Sequence, residues 1–186
     1  MAENEVKEMR RLMLVLLVVS TLGAGVDVVL ADSGSEVPKA FFEPRSLVAG
    51  IYDAVSAPPE TVPDWDFIRS HFTPEALIVL RATPEESRLM DLEAFIDDFE
   101  SFYERIGPSG RGFRETVQSI RVVEFGNVAH CYVVYTADIV GDDRPPQRGL
   151  DSWHLMQRDG RWWVVSVIND VERIAGPIPD EVLAEN

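Results

Sequence analysis

The sequence is poor in cysteine and in positive charge. Cys131 is the single cysteine of the chain. No internal disulfide can form, and a cysteine-rich metal site is excluded. Its setting, "HCYVV", is apolar and reads as a buried, inert thiol. Lysine and arginine together number 17 against 32 aspartates and glutamates, a formal net charge of -15. Such a surface repels phosphate backbones, so nucleic acid is not an expected partner. The chain also lacks a "G-x-S-x-G" elbow, a P-loop and an "H-E-x-x-H" pair. It has no internal repeat and no low-complexity tract, and nothing in it asks for a metal or a cofactor.

No apolar run is long enough to span a membrane. The run from Leu12 to Leu22 follows Arg10-Arg11 and falls short of the ~20 residues a span needs. Val29-Leu30-Ala31 then offers residues for the -3 and -1 positions of a cleavage site. Basic, then apolar, then small is the order of a secretory signal peptide, so the expected destination is secreted or periplasmic rather than membrane-anchored. The opening "MAENEVKE" is too acidic for such a leader. It motivates the hypothesis that translation starts at Met9, which mass spectrometry of the cellular protein would refute by finding an intact Met1. The expected organisation is a leader over 1–31, a linker over 32–43, one domain over 44–172 and a tail over 173–186.

What remains is a foldable domain. Hydrophobic residues make up 46% of the chain, enough to build a core. In "PRSLVAGIYDAVSA" (44–57), Leu47, Val48, Ile51, Tyr52 and Val55 form one helical stripe between Pro44 and Pro58-Pro59. "PDWDFIRSHF" reads as a short second helix, with His71 at its end as a dipole partner. "ALIVLRA" reads as a short strand or a loop. Asp91 suits the N-cap of a third helix whose apolar face is Leu92, Phe95, Phe99, Phe102 and Ile106. After Gly112 the period becomes two, and four strands follow at about 113–125, 128–140, 147–158 and 161–171. Gly126-Asn127 and Asp159-Gly160 are two-residue turns. Helices followed by an antiparallel meander make an α+β domain. Trp162 and Trp163 point opposite ways, so both faces of the sheet need cover: helices on one, a second copy of the chain on the other.

This order of elements, with "DWDFIRSHFTPEA" and the closing "DSWHLMQRDGRWWVVSVIND", resembles the nuclear transport factor 2-like superfamily, which includes ketosteroid isomerase-like and SnoaL-like proteins. The resemblance covers about residues 45–172. It implies a curved, cone-shaped sheet wrapped over three helices (a cystatin-like arrangement), a pocket at the open end of the cone and a homodimer through the convex face. It also implies a pocket tyrosine at Tyr52 and an oxyanion-stabilising position near His154. The position of the general-base aspartate falls near Leu80, which carries no carboxylate.

Hairpin geometry supplies the candidate site. A tight turn at Asp159-Gly160 opposes Met156 to Trp163, His154 to Val165, Ser152 to Val167 and Leu150 to Asn169. The face carrying His154 is the more polar one and is expected to be concave. Its candidate ligand-binding residues are Tyr52, Arg121, Tyr132, Thr136, Ser152, His154, Trp163 and Asn169, and in an enzyme His154 and Tyr52 would be catalytic. Tyr132 and Thr136 join this face if the loop between the second and third strands leaves an even register; a one-residue slip would bring Cys131, Val133 and Tyr135 instead. By the loop estimate His130 and His154 lie about four positions apart, too far to share a metal ion. The expected function is an exported domain binding a small, largely apolar ligand without catalysis. The alternatives are an isomerase-, dehydratase- or hydrolase-type enzyme and a dimeric partner-binding module with a filled cone. A hollow of roughly 300 Å³ or more would separate the pocket readings from the filled cone.

Overall fold

The computed structural model describes residues 42–107 and 110–183. The expected leader and nearly all of the expected linker lie outside them. The first helix, α1 (Pro44–Val55), starts on Pro44 and buries Leu47, Val48, Ile51, Tyr52 and Val55. The next, α2 (Trp65–Arg69), is capped by Asp64, whose side chain accepts from Phe67 N at 3.0 Å. His71 follows it and is fully buried, with Nδ1 2.7 Å from the carbonyl of Phe67. The third, α3 (Leu92–Ile106), is capped by Asp91 accepting from Ala94 N at 2.8 Å. Its deepest residues are Ile96, Tyr103, Leu92 and Ile106, so the buried stripe lies slightly to one side of the phenylalanine row.

The chain is α+β, as expected, but its sheet has six strands rather than four: β1 (Phe72–Arg81), β2 (Ser87–Met90), β3 (Gly112–Phe125), β4 (Val128–Val140), β5 (Gln147–Arg158) and β6 (Arg161–Val171). Their order is β2-β1-β6-β5-β4-β3. The last four are the meander read from the sequence. The segment "ALIVLRA", read as a short strand or a loop, falls mostly in the second half of β1, which starts earlier, before Pro74, and has a register shift against β6 between Phe72 and Leu77; β2 has no counterpart in the sequence reading. β1 pairs with β6 in parallel, which no hairpin signal announces. At the β5–β6 turn Asp159 and Gly160 take φ of 55° and 77°, the left-handed pair of a tight primed turn.

Two register shifts lie within the β3–β6 meander and bend it. In β3 the pairing jumps from Val117↔Tyr135 to Ser119↔Val134, leaving Gln118 over. In β6 it jumps from Leu155↔Val164 to His154↔Ser166, leaving Val165 over. An extra residue locally turns the strand and raises its twist. The helices cover the concave side, where Cys131, Val133, Leu155, Trp162 and Val164 pack among Leu47, Ile51 and Ile96. Burial of Cys131 pushes its thiol up to about 12. The tail read after residue 172 contains two further turns of helix, α4 (Glu172–Ala175) and α5 (Asp180–Leu183). Arg121 Nη1 of β3 donates to the carbonyl of Glu181 in α5 at 2.8 Å.

Candidate functional site

The bulge at Val165 decides which residues face the helices. Near the turn the expected pairing holds, with Arg158 opposite Arg161 and Met156 opposite Trp163. Beyond the bulge every partner is displaced by one. Trp153 opposes Val167 and Asp151 opposes Asn169. Asn169 therefore moves to the concave side, whereas Ser152 and His154 stay on the outer one. The even register between β4 and β5 is present: Tyr132 opposes Ser152 and Thr136 opposes Arg148. It carries Tyr132 and Thr136 to the outer face with His154.

The face bearing His154 is thus convex, the opposite of the expected assignment. The uninterrupted apolar face, with Trp153, Leu155, Trp162 and Val164, is covered by the chain's own helices and forms the core. The more polar face meets solvent. His154 is exposed, with Nδ1 2.8 Å from Ser166 Oγ. His130 lies directly opposite it, not four residues away, and the two rings are 4.5 Å apart. Among the described residues no group of three or more histidine, cysteine, aspartate or glutamate side chains is placed to hold a metal ion. Arg121 and Trp163 also lie on outer positions, Arg121 opposite Tyr132 and Trp163 opposite Met156. Of the expected site residues, Tyr52 and Asn169 face the hollow.

That hollow lies between α1, α3 and the concave side of the sheet and has a volume of about 130 Å³. It is less than half of the roughly 300 Å³ that separates the pocket readings from the filled cone, and Phe95 and Phe99 of α3 take up part of the cone, which counts towards the filled-cone alternative. Leu80 lines it as an apolar wall, at the position where the resemblance would put a general base. Its polar end is a chain of hydrogen bonds. Trp153 Nε1 donates to Tyr52 Oη at 3.2 Å, and Tyr52 donates in turn to Asp151 Oδ2. Asn169 Nδ2 donates to Asp151 Oδ1 at 2.7 Å and lies 2.8 Å from Tyr135 Oη. The Tyr135 ring has room because Gly149 stands opposite it. A Cβ there would sit 2.6 Å from the Tyr135 oxygen.

Glu115 of β3 completes the lining, and its carboxyl has no hydrogen-bond partner among the described residues. Its backbone N–H is tied to Ser56 Oγ at 2.9 Å. Burial, with Asp151 as a second cause, raises its pKa to about 8. Burial also raises Asp151 to about 6, against the opposing effect of its hydrogen bonds from Tyr52 and Asn169. Tyr52 is held well above its ordinary value, first by burial and then by Asp151. No lysine, arginine or histidine lines the hollow. Asp151, Glu115 and Trp153 are not among the candidates read from the sequence, and Tyr135 is there only as the outcome of a register slip. The available signal was a single carboxylate at an in-facing position of an otherwise apolar alternation: Phe113-x-Glu115-x-Val117 in β3 and Asp151-x-Trp153-x-Leu155 in β5.

Comparison with known proteins starts from this geometry. No family profile and no curated protein matches the chain. Solved structures do. A protein of unknown function with a cystatin-like fold from Nostoc punctiforme is 12% identical, with a TM-score of 0.51 over 68% of this chain and 86% of that one. An NTF2-like protein of unknown function from Pseudomonas putida is 14% identical, with a TM-score of 0.51 over 68% and 82%. The chain has the nuclear transport factor 2-like fold. A chain from Thiobacillus denitrificans, provisionally named a calcium/calmodulin-dependent protein kinase type II association domain, is 14% identical and reaches a TM-score of 0.54 over 69% and 94%. Identities this low establish the architecture and leave the activity to the site.

Proposed function

We propose that this nuclear transport factor 2-like domain binds one small, largely apolar molecule on the concave side of its sheet, as a binding protein. The observation that carries the reading is the hollow of about 130 Å³, apolar along most of its wall and polar at one end where Tyr52, Asp151 and Asn169 are hydrogen-bonded into a fixed arrangement. A cavity of roughly 150 Å³ holds benzene, so the fitting ligand has about six heavy atoms rather than the size of a steroid. Leu80 supports binding without catalysis, since it stands where a base would act. Titration with cyclopentanol, followed by tryptophan fluorescence, tests it. Saturable binding that Tyr52→Phe weakens and His154→Ala leaves alone is expected. Saturation lost in His154→Ala would overturn the assignment of the site.

A second reading, a proton-transfer enzyme, has its own support. Asp151 near 6 and Glu115 near 8 share one hollow, two acids with separated titrations close to neutral pH. Deuterium exchange into cyclopentanone that depends on Asp151 would establish catalysis. Its absence alongside binding would leave the binding role.

The same reading takes residues 1–31 as an export leader and the convex face as the seat of a second copy. At the centre of that face Leu77, Ser166, Ile168, His154, Ser152 and His130 carry no carboxylate, in a chain of net charge -15. Leu77 and Ile168 are 44% and 46% exposed there. An acid-free patch with Leu77 and Ile168 exposed, on so acidic a chain, suits self-association, since two copies meet there without facing carboxylates.

A further inference from the structure

The hollow is acidic and aromatic at once, and its charge has no counterpart. Asp151 spends both carboxylate oxygens on Tyr52 and Asn169. Glu115 spends neither of its own on the described residues, and no basic side chain reaches the lining. A ligand carbonyl would find no cation here, and a ligand carboxylate would be repelled by Asp151 and, once it ionises, by Glu115. Around them stand aromatic rings: Tyr52 lies 5.6 Å from Tyr135 and 5.7 Å from Trp153, centroid to centroid, and Phe95 packs on Phe99 at 4.8 Å along the α3 wall. Rings of this kind attract a cation through their quadrupoles, most strongly where water is excluded.

We propose that the ligand of this hollow is a small protonated alkylamine, whose ammonium donates to the unpartnered Glu115 carboxylate beside Asp151 while its hydrocarbon part lies against Phe95, Phe99 and Leu80. This deepens the binding reading above and rests on it. An ammonium supplies the one charge the lining lacks. An N–H donor, rather than a quaternary nitrogen, suits an acceptor that no protein group occupies. The volume sets the size. About six heavy atoms fit, as in butylamine or cyclopentylamine.

The pH dependence follows from the groups around Glu115. They are Tyr52 of α1, Tyr103 of α3, Tyr135 of β4 and Asp151 of β5, and all three tyrosines are raised above their ordinary range by burial. Only the two carboxyls titrate between pH 5 and 9. Ammonium affinity therefore rises with pH as Asp151 ionises near 6 and Glu115 near 8, until the amine loses its own proton near 10.

The test is calorimetric titration of the full chain with cyclopentylamine and, separately, with cyclopentanol, its neutral counterpart of the same size. At pH 8 the amine should bind about tenfold or more tighter than the alcohol, a preference that shrinks by pH 5 and collapses towards unity in Glu115→Gln. Alcohol binding equal to or tighter than amine binding at pH 8 overturns the cation proposal and leaves the pocket standing. Binding of neither probe overturns both. A preference retained in Glu115→Gln, with the variant shown folded by its tryptophan emission, also overturns the assignment, because the ammonium would then be held elsewhere.

Discussion

Glu115→Gln should make the protein more stable at alkaline pH and leave it nearly unchanged at acidic pH. In the folded chain the Glu115 carboxyl titrates near 8, against an ordinary value of 4.5. Below about 4.5 the residue is protonated both folded and unfolded, and it costs nothing. As pH rises from 4.5 to 8 the unfolded chain ionises while the folded one keeps its proton, so stability falls by about 1.4 kcal/mol per pH unit. Above 8 both states are ionised and the loss levels off. The whole window is worth about 4–5 kcal/mol, and about 3 kcal/mol once partial contact of the side chain with solvent is allowed for. Glutamine has no proton to lose and escapes this cost. The assay is urea unfolding of wild type and variant at pH 5 and pH 8.5, read by fluorescence of the four tryptophans. Other carboxyls titrate equally in both proteins and cancel in the difference. A variant gain at pH 8.5 that exceeds the gain at pH 5 by about 3 kcal/mol is expected. A difference independent of pH, or one larger in acid, would refute the placement of Glu115 beside Asp151 without a compensating cation.

Other consequences follow from single contacts. Tyr52→Phe removes the donor to Asp151 and the acceptor of Trp153 Nε1, and should cost about 2–4 kcal/mol. The loss should be greater at pH 8 than at pH 5, because Asp151 near 6 is ionised only at the higher pH; equal losses in urea unfolding at the two values would contradict an ionised acceptor. Gly112→Ala drives a Cβ to 2.5 Å from the carbonyl oxygen of Ala57, into the bridge between Ala57 and Phe113. A loss of about 3 kcal/mol is expected, measured by thermal melting, and a melting point within a degree or two of wild type would show that the bridge is not needed. Ile168→Glu on the convex face should leave the melting point of a single subunit unchanged and convert a dimer to a monomer in light scattering; a wild type that is already monomeric at high concentration would defeat the dimer proposal.

The fold was legible because its signals are local. The α1 stripe, the Asp91 cap, the Asp159-Gly160 turn and the period-two run after Gly112 each depend on neighbours in the chain, and the meander strands lie within a few residues of expectation. β1 was harder to read, since its partner β6 lies more than eighty residues on and pairs in parallel. The site failed for two physical reasons. One extra residue at Val165 inverts the facing of everything beyond it, and no composition marks that residue as a bulge. Polar content does not mark the pocket face. In this sheet the helices claim the most apolar face, and the pocket is a few polar groups set within it. Tyr52 was found because helical periodicity alone points it inward.

The most direct measurement is a two-dimensional amide spectrum of the ¹⁵N-labelled chain titrated with cyclopentanol. The account requires saturable shifts at the Trp153 indole N–H and the Asn169 side-chain amide, with the backbone amides of His154 and Ser166 unmoved. Shifts centred on His154 and Ser166, or none at Trp153 and Asn169, would contradict it.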